Sequence, residues 1–160
     1  MQQVQQYVNT IDFKNVTAFI IDKDNDSIEK NLQIPLIGLY SAFKELNELG
    51  FKKSLILSCD IPLINKKIIN YLIDCSQKFD CCIPRWDNGF LEPLFAIYPI
   101  QKALIVSMEK LKTKDYKLMT LINSSWNTNY ISIERNFRQF DKSLSSFINI
   151  NTLDDIEKLK

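Results

Sequence analysis

The sequence predicts an α/β fold with a mostly parallel sheet, and three observations carry that prediction. Strand-like and helix-like segments alternate over the first 80 residues. The run at 16–21, Val-Thr-Ala-Phe-Ile-Ile, is β-branched and almost wholly apolar, and 54–58 has an apolar centre; strands covered on both faces read this way. The segments between carry apolar residues at three- and four-residue spacing, which gives each helix one face for the sheet. In such sheets the crossovers are right-handed and ligands sit outside the carboxyl ends of the strands. The loops after Ile21, Ser58 and Ile83 are therefore where chemistry is sought.

Each element has its own signal. Residues 2–12 read as a short helix through Val4, Tyr7, Val8 and Ile11, and a polar stretch, 22–30, follows the first strand. Residues 38–49 form a helix with Leu39, Ala42, Phe43, Leu46 and Leu49 as its stripe and Gly50 at its stop. After the strand at 54–58, residues 65–77 form a helix with Ile68, Ile69, Leu72 and Ile73 inward and Asn65 as N-cap. Residues 80–83 are a third strand, and 90–98 a fourth, interrupted by Pro93 in the manner of an edge or bulge. Helices follow at 100–111 and 117–123, and short strands at 130–133 and 147–150. A last helix starts near Thr152, whose spacing to Asp155 approximates a capping box. No linker, repeat or low-complexity block divides the chain, so residues 1–160 read as one domain.

Composition removes whole classes of function. With 20 basic and 19 acidic side chains the net charge is +1, which announces no nucleic-acid partner. Histidine is absent, which excludes Ser-His and Cys-His nucleophiles and any histidine-bearing metal site. No apolar run reaches the length of a membrane span, and the first residues read as neither signal nor transit peptide. Cys59, Cys75, Cys81 and Cys82 show no Cys-x-x-Cys spacing, and neighbours 81 and 82 on a strand point to opposite faces. They read as reduced thiols of a cytoplasmic protein.

Four segments carry candidate chemistry. In Leu55-Ile-Leu-Ser-Cys-Asp-Ile-Pro62 an apolar strand ends in a carboxylate. Asp60 there suits Mg²⁺, which takes one or two protein oxygens and completes its shell with water and phosphates; an aspartate at such a turn also serves as a cap. In Pro84-Arg-Trp-Asp-Asn-Gly-Phe-Leu-Glu-Pro-Leu94 the Asn88-Gly89 pair marks a hairpin, with Glu92 on the returning strand. Arg85 suits a phosphate and Trp86 a flat ring. The plainer alternative packs Trp86 and Phe90 beside the turn and pairs Arg85 with Glu92. In Ile34-Pro-Leu-Ile-Gly38 a glycine enters a helix, which opens backbone N–H groups to an anion or merely permits close packing. In Phe147-Ile-Asn-Ile-Asn-Thr152 the asparagines brace a turn or meet a ligand.

Taken together and in this order, the four segments resemble the molybdenum cofactor guanylyltransferase family, within the α/β nucleotidyltransferases. Pro35-Leu-Ile-Gly38 is similar to its Gly-Pro-Leu-x-Gly segment, Cys59-Asp-Ile-Pro62 to its Cys-Asp-x-Pro turn, Glu92-Pro-Leu94 to its acid-Pro-Leu run, and Phe147–Thr152 to its Phe-x-Asn-x-Asn-Thr signature. The resemblance spans nearly the whole chain. It implies a three-layer, Rossmann-like nucleotidyltransferase fold. It also implies transfer of GMP from GTP to molybdopterin with Mg²⁺ as cofactor. Asp60 is then the metal and phosphate carboxylate. Pro35, Leu36 and Gly38 border the nucleotide, and Arg85, Asn88, Glu92, Asn149 and Asn151 lie on the pterin side. Lys117 is a candidate phosphate contact or a solvated surface lysine.

The family's opening strand and its glycine-rich phosphate loop have no counterpart, since the first glycine is Gly38. The expectation is thus an N-terminally truncated version of the fold. Ile34 also replaces the first glycine of the Gly-Pro-Leu-x-Gly pattern. The chain then reads as a shortened gene product, as one part of an enzyme or oligomer whose partner covers the missing strand, or as a non-catalytic paralogue that binds pterin or a partner. Cytidylyl and sugar-phosphate nucleotidyltransferases are the alternative within enzymes.

Overall fold

The structure is a computed structural model that describes Ile20 and residues 34–157. Apart from Ile20, the expected helix at 2–12, strand at 16–21 and polar stretch at 22–30 lie outside the described residues.

Helix α1 (Pro35–Glu48) starts earlier than its glycine suggested. Proline needs no N–H partner and is pre-set for a first helical position, so Pro35 rather than Gly38 opens the helix. Its end is as read: Gly50 takes φ 81°, and the N–H groups of Gly50 and Phe51 bond the carbonyls of Asn47 and Leu46, both at 3.0 Å. Strand β1 (Lys53–Leu57) leads through the Asp60 turn to α2 (Lys66–Cys75). There Asn65 accepts the N–H of Lys67 at 2.9 Å, the expected cap. Strands β2 (Cys81–Arg85) and β3 (Phe95–Pro99) precede α3 (Ile100–Lys112). A 3₁₀ turn (Leu118–Leu121) stands where a helix at 117–123 was expected. Strand β4 (Thr128–Ser132), a π turn (Ile133–Phe137), a second 3₁₀ turn (Ser145–Phe147) and α4 (Leu153–Glu157) complete the described chain.

The sheet order is β1-β3-β2-β4. β2 and β4 are parallel, but β3 runs antiparallel to both β1 and β2. The sheet is therefore mixed where a mostly parallel one was expected. The cause is the Asn88-Gly89 turn, with Gly89 at φ 91°, which returns the chain beside β2 too soon for a crossover. Only an isolated Arg85–Leu91 bridge forms near the turn, so β3 begins after Pro93 and Glu92 lies in the connection rather than on the strand.

Alternation along the strands builds two cores. Cys81, Ile83, Ala96 and Tyr98 pack with Leu36, Leu39 and Phe43 of α1 and Ile100 and Ala103 of α3. Cys82, Phe95 and Ile97 face the other way, onto Ile68 and Leu72 of α2 and onto Ile131, Phe137 and Leu144. This is the expected three-layer arrangement, with helices on both faces. The four cysteines are free, and burial pushes the Cys81 and Cys82 thiols up to about 12. No helix among the described residues is long and apolar enough to cross a membrane.

Tyr98, fully buried, donates its hydroxyl to the carbonyl of Pro93 at 2.8 Å and so pins the Glu92-Pro-Leu connection to the core. Tyr98→Phe is expected to cost about 1 kcal/mol, the net worth of such a bond. A melting temperature lowered by about 2–4 °C checks it.

Candidate functional site

Asp60 lies just past the carboxyl end of β1, where the apolar strand gives way to a turn. It lines a cavity of about 120 Å³ with Glu92, Leu118, Phe147 and Asn149. Its main-chain carbonyl accepts the N–H of Ile150 at 2.7 Å, which ties this turn to the segment bearing Asn149. Its carboxylate Oδ1 is buried and has no hydrogen-bond partner among the described residues. A buried carboxylate oxygen without a donor is costly, and a water, an ion or a catalytic role is among the explanations such exceptions call for.

Glu92 enters the cavity from the connection before β3. Its Oε1 accepts the indole N–H of Trp86 at 2.6 Å, so the glutamate pairs with the tryptophan rather than with Arg85. Burial raises its pKa, the Trp86 bond opposes this, and the negative charge of Asp60 raises it further. A carboxyl raised in the folded state favours its protonated form. Folding stability is therefore fullest at or below the ordinary glutamate range and falls as pH rises through the elevated value. Glu92→Gln keeps an acceptor for Trp86 but cannot ionise, so its stability is expected to be flatter with pH. Chemical denaturation across the weakly acidic to neutral range checks this.

An aromatic cluster adjoins the cavity, with Phe95 and Phe147 in its wall. The ring of Phe147 stacks on Phe137 at 5.6 Å and meets Phe95 at 5.4 Å, and the edge of Trp86 closes on it at 5.6 Å. Residues 145–150 form a 3₁₀ turn and irregular chain instead of the expected strand at 147–150, since the N–H of Ile150 bonds the Asp60 carbonyl.

Of the residues singled out from the sequence, Asp60, Glu92 and Asn149 meet in this cavity. Arg85 and Asn88 do not. They line a separate recess of about 490 Å³ with Trp86, Asp87, Ser132 and Arg135, at the carboxyl ends of β2 and β4. The Arg85 guanidinium sits 5.3 Å over the ring of Tyr130. Trp86 thus borders one recess while its indole N–H bonds Glu92, which lines the other. Phe90, at 67% exposed, projects from the turn rather than packing beside it. Asn151 stands outside both recesses. Its N–H and the N–H and hydroxyl of Thr152 all bond the Asp155 carboxylate at 2.9–3.1 Å, the capping arrangement expected for α4. Pro35 is exposed, Leu36 is buried in the core, and Gly38 lies within α1; none of the three lines the Asp60 cavity. Lys117 is exposed beside Leu118. Sequence reading missed Trp86 as the partner of Glu92, and missed Leu118 and Phe147 as cavity walls. A tryptophan six residues before a glutamate in a hairpin was the available signal.

Comparison with known proteins agrees with the fold and the motif order. The family described as "MobA-like NTP transferase domain" matches residues 14–129. A probable molybdenum cofactor guanylyltransferase of Thermococcus gammatolerans is 32% identical over 160 aligned positions, covering 91% of this chain and 78% of that protein. One from Pyrococcus horikoshii is 35% identical, covering 76% of this chain and 59% of that protein. One from Methanosarcina mazei is 27% identical, covering 78% and 54%. Against several of these relatives the chain thus spans little more than half of their length. Among solved structures, molybdopterin-guanine dinucleotide biosynthesis protein A from Archaeoglobus fulgidus superposes with a TM-score of 0.70 at 23% identity, covering 98% of this chain and 71% of that one. The chain therefore belongs to the MobA-like NTP transferase family that its motif order indicated.

Proposed function

We propose that the chain acts in transfer of GMP from GTP to molybdopterin. A terminal phosphate oxygen of the pterin attacks the α-phosphorus, a new P–O–P bond forms, the α–β bond breaks, and pyrophosphate leaves. The observation that carries this reading is the Asp60 carboxylate, which lines a cavity with Glu92 and Asn149 and whose buried Oδ1 has no hydrogen-bond partner among the described residues. Such a transfer asks the protein for positioning and charge neutralisation rather than covalent work.

The donor set fits Mg²⁺. Among the described residues no group of three or more acidic or cysteine side chains gathers to enclose an ion. One carboxylate lining a cavity suits a cation that keeps water and substrate phosphates in its shell. Asp60 would hold it, and when bound it supplies neutralisation of phosphate charge and a template for the reacting groups. Glu92 and Asn149 face the same space and contact the acceptor in this reading. Arg85 and Asn88 bind a more distant part of the pterin, and Asn151 supports the turn. Pro35, Leu36 and Gly38 are assigned to the guanine side through the position of α1 rather than through contact with the cavity. The reading sets the reaction in the cytoplasm, where free cysteines stay reduced.

Incubation of the protein with α-labelled GTP, molybdopterin and Mg²⁺ tests this. The expected result is label in a pterin dinucleotide with release of pyrophosphate, and label in no product sinks the reading. A second reading, a module that binds pterin without transfer, is favoured by the placement of Pro35, Leu36 and Gly38 away from the cavity. Calorimetry with Mg²⁺ and GTP separates the two, since micromolar GTP binding supports only the first.

A further inference from the structure

Two stretches distant in sequence are stitched together beside the cavity. Residues 60–65 follow β1, and 140–150 follow the π turn. The N–H of Ile150 donates to the Asp60 carbonyl at 2.7 Å. The Asn65 side-chain amide donates to the Phe140 carbonyl at 3.0 Å, and the Asn65 main-chain N–H donates to Ser146 Oγ at 3.0 Å.

That last bond depends on Asp141. Its carboxylate is buried and accepts the N–H of Ser146 at 2.7 Å and its hydroxyl at 2.8 Å. The hydroxyls of Ser143 and Ser145 reach it at 3.1 and 3.2 Å. With the Ser146 proton committed to Asp141, the oxygen lone pairs are free to accept from Asn65. Between the two, Leu144 takes φ 56°. That left-handed state is costly for a leucine and persists only where its surroundings over-determine it. Beyond Ser146 come Phe147 and Asn149, both on the cavity wall.

The geometry points to Asp141 as a positioning residue that, through Ser146, fixes the gap between Asp60 and Asn149 across the cavity. The inference rests on the reading of that cavity as the transfer site. Asp141 touches no substrate in this scheme. It converts a serine hydroxyl into an oriented acceptor, and the acceptor holds the Asp60 turn in register with the opposite wall.

Amide exchange on the full chain tests the clamp independently of activity. Ser146→Ala removes the acceptor and leaves Asp141 charged. The N–H of Ile150, on the far side of the stitch, is expected to exchange about tenfold faster, because the hydroxyl both accepts from Asn65 and donates to Asp141 and both bonds are lost. Mid-sheet amides near Ile97 should stay unchanged. In the transfer assay kcat falls about tenfold while KM for GTP stays within about twofold, the mark of lost alignment rather than lost binding. Ser146→Thr, which keeps the hydroxyl, restores both readouts. Unaltered exchange at Ile150 overturns the proposal, as does equal acceleration at Ile97, which would mean general destabilisation. If the unmodified protein transfers no GMP, the functional reading fails while exchange at Ile150 still decides the clamp.

Discussion

Asp60→Ala is expected to abolish GMP transfer and, at the same time, to raise the melting temperature. The two effects come from one side chain. Oδ1 of Asp60 is buried, and no donor among the described residues offsets its desolvation cost. Removing the group relieves that cost, by about 1 kcal/mol on the scale for unsatisfied buried groups, or about 2–4 °C in Tm. In the transfer reaction the Asp60 carboxylate is expected to hold the metal beside the phosphates, so its removal takes away the charge that positions them. Asp60→Asn separates charge from shape: it should lose activity almost as fully, because a neutral amide oxygen neutralises none of the charge of a cation that is held through carboxylates. Calorimetric melting and the labelled-GTP assay on the same samples check both halves. Loss of activity with a lowered Tm would show that Asp60 serves the fold, and full activity in either variant would remove it from the mechanism.

Acid is expected to take about 2 kcal/mol from the stability of the chain through Asp141. Burial opposes ionisation of this carboxyl. Hydrogen bonds from the N–H and hydroxyl of Ser146, and from Ser143 and Ser145, outweigh it and bring the pKa from 3.8 down to about 2. A depressed carboxyl stabilises the fold fully above its ordinary value. The contribution fades as pH falls from 3.8 to about 2. Urea denaturation at several pH values in and above that window measures it. Asp141→Asn should be less stable at neutral pH, and its stability should fall less across the window. Asp80, hydrogen-bonded by Lys102 and Asn127, and Asp115, hydrogen-bonded by Lys110, are also held low, but at the surface. Moderate salt screens those pairs and leaves the buried aspartate to dominate the slope.

Much of the architecture was legible because it is local. The stripe of α1, the Asn65 cap, the Gly50 stop and the split of Cys81 and Cys82 between two faces each follow from spacing or from one residue's conformational preference. The Asn88-Gly89 hairpin was legible too, but not that its returning strand also pairs with β1, which makes β3 antiparallel to both neighbours and the sheet mixed. Residues 147–150 alternate like a strand but are bent by Ser146, Asp141 and Asp60, partners that no window of sequence contains. Asp60, Glu92 and Asn149 were each picked out for chemistry, but their meeting in one cavity is tertiary. The start of α1 could have been found, since proline at a first helical position is a stronger signal than a glycine three residues on.

The return of β3 directly beside β2 also bears on how the chain reaches its folded form. Arg85 and Leu91, then Cys82 and Ile97, find each other across short loops, where closure costs little entropy. β1 and β4 join on opposite sides of that ribbon through much longer stretches of chain. Loop-closure entropy therefore favours pairing within the 82–97 hairpin first, and the strand leading to Asp60 joins that ribbon at a greater entropic cost.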